Sequence, residues 1–499
     1  MNLTRPSDLR GLRVTVMGLG LHGGGVAAAR YLASHGAELT VTDLRTEDVL
    51  APSLAQIEDL RYHAVFGRHD EADFTAADLV IKNPGVPRSS RFLRLAALVE
   101  TDISLFLRFA RNPLVAVTGS KGKSTVASAI HHGLRRRHPR SRLGGNITTS
   151  PLVFLDELHG DEPVVLELSS FQLGDLELTG ARPALDPEVA VLTNIMHDHL
   201  DYYDSVEDYI DDKSVLFATQ RPEHAALYFW DDEALRERLS RNPGTPYWFS
   251  ASPLPRDRDG AFLDGNSFCL QRDGERITPS NLGDAAEPSR RPETGLLPIN
   301  RVIAALALWL FGVPHDELLE SLSGFEGIEH RLEPVGTLGE VQFVNDSAAT
   351  IPPAVVAAIE ALQRPVRLIA GGADKELDLE PFVTIAERVA GLYLLAGSAT
   401  DRLVAVLQEH RLPYHGPFND LPRCLHAAAD AAEPGDAVLL SPGCASFGMF
   451  LNEFDRGRQF KRAVHELVAR RTESAAAPKK GDTFETSDRT SVNEPDERQ

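Results

Sequence analysis

Short apolar runs closed by glycine or polar turn residues recur along this chain, and many are followed by stretches whose apolar residues fall three or four apart. Such runs read as buried strands, and the 3.6-residue spacing reads as amphipathic helix. The first third predicts strand 12–17, a glycine turn at 18–23, helix 26–35 and strand 38–43, which together make a βαβ unit. The middle third predicts strand 114–117, a second glycine turn, a helix carrying Val126, Ile130 and Leu134 four apart, and strands 164–168 and 189–192. In the last third, strands 341–344, 366–370, 392–396 and 437–440 alternate with helical stretches, the pattern of a parallel sheet wound on both sides. The longest apolar run, 302–313, is shorter than the ~20 residues of a membrane span and reads as a buried helix. Residues 251–294, rich in Arg, Asp, Pro and Gly, read as loops or a small irregular excursion. Beyond about 471 apolar residues all but vanish, the composition of a disordered tail. The pattern predicts an α/β chain of three domains, 1–111, 112–327 and 328–471, with a tail at 472–499.

The length of 499 residues agrees with that division at about 150 residues per domain. A net charge of −21 argues against a nucleic-acid partner, because phosphate backbones need clustered Lys and Arg; phosphorylated small molecules can still bind at local sites. The three cysteines, Cys269, Cys424 and Cys444, are widely spaced, form no metal-binding pattern and fit a reducing cytoplasm. The first residues are polar and charged, with no apolar leader. These features predict a cytoplasmic protein without a membrane span, and the expected assembly is a monomer.

The sharpest chemical signal is Thr118-Gly119-Ser120-Lys121-Gly122-Lys123-Ser124-Thr125, between a predicted strand and a predicted helix. Backbone N–H groups of such a turn point at phosphate oxygens, Lys123 can neutralise the outer phosphates, and the Ser124 hydroxyl can meet Mg²⁺. Only Ser120 and Lys121 separate the glycines, so the turn is tighter than the usual nucleotide loop with four intervening residues. Earlier in the chain, Gly18, Gly20 and Gly23 form G-x-G-x-x-G after a strand, and Asp43 closes the next strand as a ribose-binding acid would. That geometry suits any diphosphate, a UDP-sugar as well as a dinucleotide. Glu167 ends an apolar strand, where burial is costly without a cation; Mg²⁺ or a structural Arg would serve. The segment from Thr193 and Asn194 to His197, Asp198, His199 and Asp201 crowds His and Asp after another strand; hard Mg²⁺ ligation suits it better than zinc beside a nucleotide. Lys213, in a polar helical stretch, reads by ordinary exposure as a surface lysine.

Taken in order, 119–125, 167–172, Asn194 with 197–201, Lys213, His330-Arg331, 345–347 and 441–446 resemble the Mur ligases over roughly residues 10–470. The resemblance implies a Rossmann-like N-terminal domain, a central P-loop ATPase-type domain and a Rossmann-like C-terminal domain. It implies ATP-dependent amide-bond formation in cytoplasmic peptidoglycan synthesis, adding D-glutamate to UDP-N-acetylmuramoyl-L-alanine, with L-glutamate or another amino acid as the alternative. Gly18, Gly20, Gly23, Asp43, Arg45, Asn83 and Gly85 would hold the UDP-sugar and Asn146 its substrate end, with Ser169 as a further substrate-binding position. Gly119 through Thr125 would hold ATP, with Asn300, Arg331 and Asp346 as further nucleotide contacts. Ser124, Glu167, His199 and a carbamylated Lys213 would hold two Mg²⁺ ions, and Lys123, Lys213, His199 and Glu167 would carry catalysis. Thr350, Lys375, Ser446 and Phe447 fall at glutamate-binding positions. The chain departs from the family pattern at Ala348, where a Lys is usual, at Ile303, at Gly448, and at Glu453 and Phe454, where the aromatic residue is displaced by one.

Overall fold

The computed structural model describes residues 3–476 apart from 22, 148, 197–202, 204, 240, 266, 278–297, 326 and 375–376. It divides into two compact units, Met1–Ile328 and Glu329–Gln499.

The first unit holds two sheets. Strands β1 (Arg13–Met17), β2 (Glu38–Asp43), β3 (Tyr62–Phe66), β4 (Leu79–Lys82) and β5 (Val99–Glu100) lie parallel in the order β3-β2-β1-β4-β5. The order reverses beside β1, so the turn after β1 and the turn after β4 flank one crevice at the carboxyl ends of the strands, where open α/β sheets bind ligands.

The second sheet has strands β6 (Leu114–Thr118), β7 (Arg142–Gly145), β8 (Val164–Glu167), β9 (Val189–Leu192), β10 (Ala225–Phe229), β11 (Thr245–Ser250), β12 (Gly260–Asp264), β13 (Ser267–Arg272) and β14 (Glu275–Ile277). They are ordered β14-β13-β12-β11-β10-β9-β6-β8-β7, parallel as far as β12 and antiparallel through β13 and β14. The last three strands correct the reading of 251–294 as loops; residues 278–294 lie outside the described residues. Because β6 sits between β9 and β8, the segments leaving these three strands emerge side by side.

Alternate residues of the second sheet face two cores. Ala116 and Leu166 join a cluster shared with Val14, Val41 and Ile81 of the first sheet and with Ile103 and Phe106 of the helix Asp102–Phe109. Val115, Val117, Val165 and Val191 instead meet the helices Lys123–Leu134 and Pro298–Leu310. The second of these is the buried helix expected at 302–313.

The second unit is a six-stranded sheet of β15 (Glu333–Leu338), β16 (Val341–Asn345), β17 (Val366–Ala370), β18 (Gly391–Leu395), β19 (His415–Phe418) and β20 (Ala437–Leu440), ordered β15-β16-β20-β17-β18-β19. All pairs are parallel except β15 with β16, whose tight turn through Gly339, at φ +59°, returns the chain as a hairpin. That edge is the departure from the all-parallel sheet expected. Both faces are covered. Leu368, Leu394 and Leu439 meet Val355, Phe382 and Leu403, while Ile369, Tyr393 and Leu440 meet Leu425, Phe460 and Val464. The final helix, Glu453–Ala476, continues beyond residue 471, and 477–499 lie outside the described residues. Among the described residues no helix is long and apolar enough to cross a membrane.

Candidate active site

The first crevice is built from backbone. Gly18, Gly20 and Gly23 all take positive φ, at +91°, +65° and +86°, and Gly23 caps the helix Gly24–Ser34. A Cβ on Gly18 would lie 3.0 Å from the Cβ of Asn83, so the glycine lets the turn after β4 come in close. Asn83 in turn accepts the Gly85 N–H at 3.1 Å. Asp43, buried at the end of β2, accepts the N–H of Gly20 at 3.0 Å and of Arg45 at 2.9 Å. Its carboxylate therefore shapes the loop, and all the residues expected around a UDP-sugar, Arg45 included, are gathered here.

The phosphate loop follows β6. Gly119 and Gly122 take φ of +141° and +83°, and Gly122 caps the helix Lys123–Leu134, whose first turn carries Ser124 and Thr125. Residues after β9 hold the loop from beside it. The Asn194 side chain pairs both ways with Lys121, accepting its N–H at 2.9 Å and donating to its carbonyl at 3.0 Å, and the Thr193 hydroxyl donates to the same carbonyl at 2.6 Å. Ser120 is fixed by its N–H to the Asn194 carbonyl and by its hydroxyl against the Tyr209 hydroxyl at 2.9 Å. Asn300, the expected adenine contact, sits against Gly122, whose Cβ position would be 3.1 Å from Oδ1.

Lys123 Nζ donates to the carbonyls of Gly119 and Ser120, both at 2.9 Å, and Lys213 Nζ donates to the same Gly119 carbonyl at 3.0 Å. Two ammonium groups thus converge at a helix N-terminus, a concentration of positive charge suited to a polyphosphate. Lys213 is 2% exposed, which corrects its reading as a surface residue. The helix Val206–Ser214 turns its Tyr209 and Lys213 face onto the loop, four residues apart, and the ammonium lies 4.5 Å from the Tyr209 ring centre. A carbonyl and an aromatic face offset the cost of burying the charge.

Glu167 ends β8 at 1% exposure. Its Oε1 accepts from Asn146 Nδ2 at 3.1 Å, while Oε2 has no hydrogen-bond partner among the described residues. A buried carboxylate oxygen without a proton donor, one strand from the phosphate loop, fits a hard divalent cation. Ser169 caps the next helix in a reciprocal box with Gln172. His199, the other expected metal ligand, lies outside the described residues.

In the second unit the segments after β16, β17 and β20 converge. Gly443 N–H bonds the Ala349 carbonyl at 2.8 Å, and Ala373 and Ala445 exchange backbone bonds. Thr350 follows Ala349 on one of these segments; on another, Ser446 is buried and Phe447 is 44% exposed, and Lys375 lies outside the described residues. Asp346 accepts from Ser441 Oγ at 2.7 Å and from the Leu332 N–H at 3.1 Å, next to Arg331. Burial pushes its carboxyl up to about 6 against those hydrogen bonds and the Arg331 charge. Arg456, unremarked in the sequence, is fully buried and donates to the Ser347 hydroxyl and to the Ser347 and Cys444 carbonyls, tying the segments after β16 and β20 together.

Sequence reasoning also passed over a buried ion pair between the first two sheets. Lys82 Nζ lies 2.6 Å from Asp175 Oδ2, both side chains 1% exposed. A charged residue inside an apolar run, as in Leu79–Lys82 and in the helix Ser170–Leu178, was the available signal.

A strand, a glycine loop and a helix N-terminus, with two lysine amines on one loop carbonyl and an acid closing the adjacent strand, define an α/β enzyme that works on a nucleoside triphosphate. The chain belongs to the Mur ligase family. Residues 12–104 match the Mur ligase MurD-like N-terminal domain, 117–257 the Mur ligase middle domain and 330–444 the Mur ligase glutamate ligase domain. It is 40% identical over 473 residues to a UDP-N-acetylmuramoylalanine–D-glutamate ligase of Borreliella afzelii, covering 93% of this chain and 100% of that one. A protein of the same name from Roseiflexus is 39% identical over 485 residues, covering 92% and 100%. Among solved structures, the UDP-N-acetylmuramate-alanine ligase MurC of Thermotoga maritima superposes with a TM-score of 0.56 at 17% identity, over 93% of this chain and 100% of that one, a likeness of fold.

Proposed function

We propose that this protein is an ATP-dependent ligase that joins D-glutamate to UDP-N-acetylmuramoyl-L-alanine in peptidoglycan synthesis. The observation that carries the reading is the convergence of the Lys123 and Lys213 amines on the Gly119 carbonyl, in a chain that matches the whole length of a relative bearing that ligase name. A carboxylate is a poor electrophile, so the γ-phosphoryl group of ATP is first transferred to the L-alanyl carboxylate, giving an acyl phosphate. Lys123 and the N–H groups of the loop stabilise charge on the transferring oxygens. The neutral amine of glutamate then attacks the acyl carbon, and the tetrahedral intermediate collapses with loss of phosphate.

Ser124, Glu167, His199 and a carbamylated Lys213 would hold Mg²⁺, which when bound supplies charge neutralisation for the phosphoryl oxygens. Carbamylation would turn the Lys213 cation into a carboxylate-like ligand. The first crevice, with Asp43, Arg45 and Asn83, takes the UDP-sugar; Asn146 serves its substrate end, and Ser169 is a further substrate-binding residue. Asn300, Arg331 and Asp346 serve the nucleotide; Thr350, Lys375, Ser446 and Phe447 serve the amino acid. The test is phosphate release with ATP, Mg²⁺ and UDP-N-acetylmuramoyl-L-alanine, with D-glutamate, L-glutamate or no amino acid. Turnover that requires D-glutamate is expected. Preference for L-glutamate would overturn the amino-acid assignment and give Ala348 a role in it; no turnover with either would overturn the acceptor.

A further inference from the structure

The helix Ser170–Leu178 carries a glycine in its middle, which costs about 1 kcal/mol relative to Ala. The surroundings explain why no side chain stands there. A Cβ on Gly174 would lie 2.5 Å from Arg88 Nη1 and 2.5 Å from each carboxylate oxygen of Asp212. Gly174 is a notch in which these two side chains meet. Arg88 grips Asp212 through both terminal nitrogens, Nη1 donating to Oδ1 at 3.2 Å and Nη2 to Oδ2, and the Tyr203 hydroxyl donates to Oδ2 at 2.8 Å. Arg88 Nε lies 4.0 Å from Asp175 Oδ1, so the neighbouring residue of the same helix joins this bridge to the buried Lys82 pair.

The ends of this ionic bridge lie next to the two nucleotide sites. Lys82 immediately precedes Asn83, and Arg88 follows the Asn83–Gly85 turn. Asp212 immediately precedes Lys213 on the helix Val206–Ser214, and Lys213 reaches the Gly119 carbonyl. We propose that Arg88 is a positioning residue: by clamping Asp212 through the Gly174 notch, it fixes the register of the Lys213 amine on the phosphate loop and ties it to the turn that holds the first substrate. A forked guanidinium on a carboxylate sets both distance and angle, which a single ammonium does not. Displacement of a reacting group by ~1 Å costs on the order of 100-fold in rate. This rests on the ligase reading above.

The experiment compares wild type, Arg88→Met, Arg88→Lys, Asp212→Asn and the double variant Arg88→Met/Asp212→Asn. The readouts are kcat, KM for each substrate, melting temperature and amide hydrogen exchange of residues 206–214. Arg88→Met is expected to lower kcat about 10- to 100-fold with KM for ATP changed less than about 3-fold. The double variant should be no slower than the worse single one, because both act through one contact. Arg88→Lys should recover only part of the rate, and exchange in 206–214 should quicken in Arg88→Met. A lower melting temperature with kcat and exchange unchanged would overturn the proposal and leave a purely structural strap. A raised KM for the UDP-sugar with unchanged kcat would overturn it too, making Arg88 a substrate ligand. Wild-type protein inactive with these substrates would count against the ligase reading alone, and the exchange comparison would still decide the role of Arg88.

Discussion

Replacing Lys82 by Met leaves the Asp175 carboxylate buried without its closest cation. Breaking a buried pair from one side costs about 3–5 kcal/mol, and the Arg88 guanidinium near Asp175 argues for the lower part of that range. Asp175 can lessen the cost by taking up a proton. Burial already lifts its carboxyl from 3.8 to about 6, outweighing the attraction of Lys82, and removal of Lys82 lifts it further. An acid whose folded value is raised binds more protons in the native state, so its contribution is full below its unfolded value and is lost as pH rises through the folded one. In the wild type that loss ends near pH 6; in Lys82→Met it continues higher. The stability gap should therefore widen above pH 6 by up to about 1.4 kcal/mol per pH unit. Lys82→Met/Asp175→Leu removes both charges and should regain most of the loss, since apolar replacement of a whole buried pair is close to neutral. Urea unfolding at pH 6 and pH 8 followed by tryptophan fluorescence reads this directly, because Trp230, Trp248 and Trp309 all lie in the unit Met1–Ile328. A gap independent of pH, with the double variant no better than the single, would refute the account.

Three further outcomes are expected. Gly119→Ala combines a φ of +141° with a Cβ driven into Thr193 Oγ1, and about 1–3 kcal/mol of strain should weaken ATP binding on the order of 10- to 100-fold in calorimetry; unchanged affinity would show that the loop relaxes freely. Lys213→Ala should lower kcat at least ~100-fold while nucleotide still binds, and a rate within a few-fold of wild type would remove Lys213 from the reaction. For Glu333, burial is outweighed by hydrogen bonds from His330 and Lys461, which hold its carboxyl at about 2. Its contribution is present above 4.5, the ordinary value, and lost as pH falls toward 2, so Glu333→Gln should melt lower than wild type at pH 7 with the difference closing below pH 4.5 in calorimetry.

The parallel strands and both glycine loops were legible because a strand covered on both faces is a short unbroken apolar run, and because positive φ leaves glycine at fixed spacings. The antiparallel extension was equally legible and was passed over. Gly265 follows β12 at φ +60°, and Asp273-Gly274 is a hairpin turn with φ of +53° and +77° at its two central residues; the charged residues around them masked the alternation in β12 and β13. Lys213 is different in kind. Its helix has few apolar positions, and its burial depends on the Gly119 carbonyl, far away in sequence, and on the Tyr209 ring. The Lys82–Asp175 pair likewise showed only as two misplaced charges until the topology set the end of one sheet's strand against the other's helix.

The apolar cluster that runs from Val14, Val41 and Ile81 through Phe106 to Leu152, Ala116 and Leu166 has a consequence for inheritance. Two family domains share one interior, so a residue changed on one side of it selects for compensation on the other. Exchange of the first hundred or so residues between relatives should yield hybrids with mismatched interiors, and the crossover that lineages tolerate best should lie between Ile328 and Glu329, where the compact units divide. The first glycine crevice would then descend together with the phosphate loop.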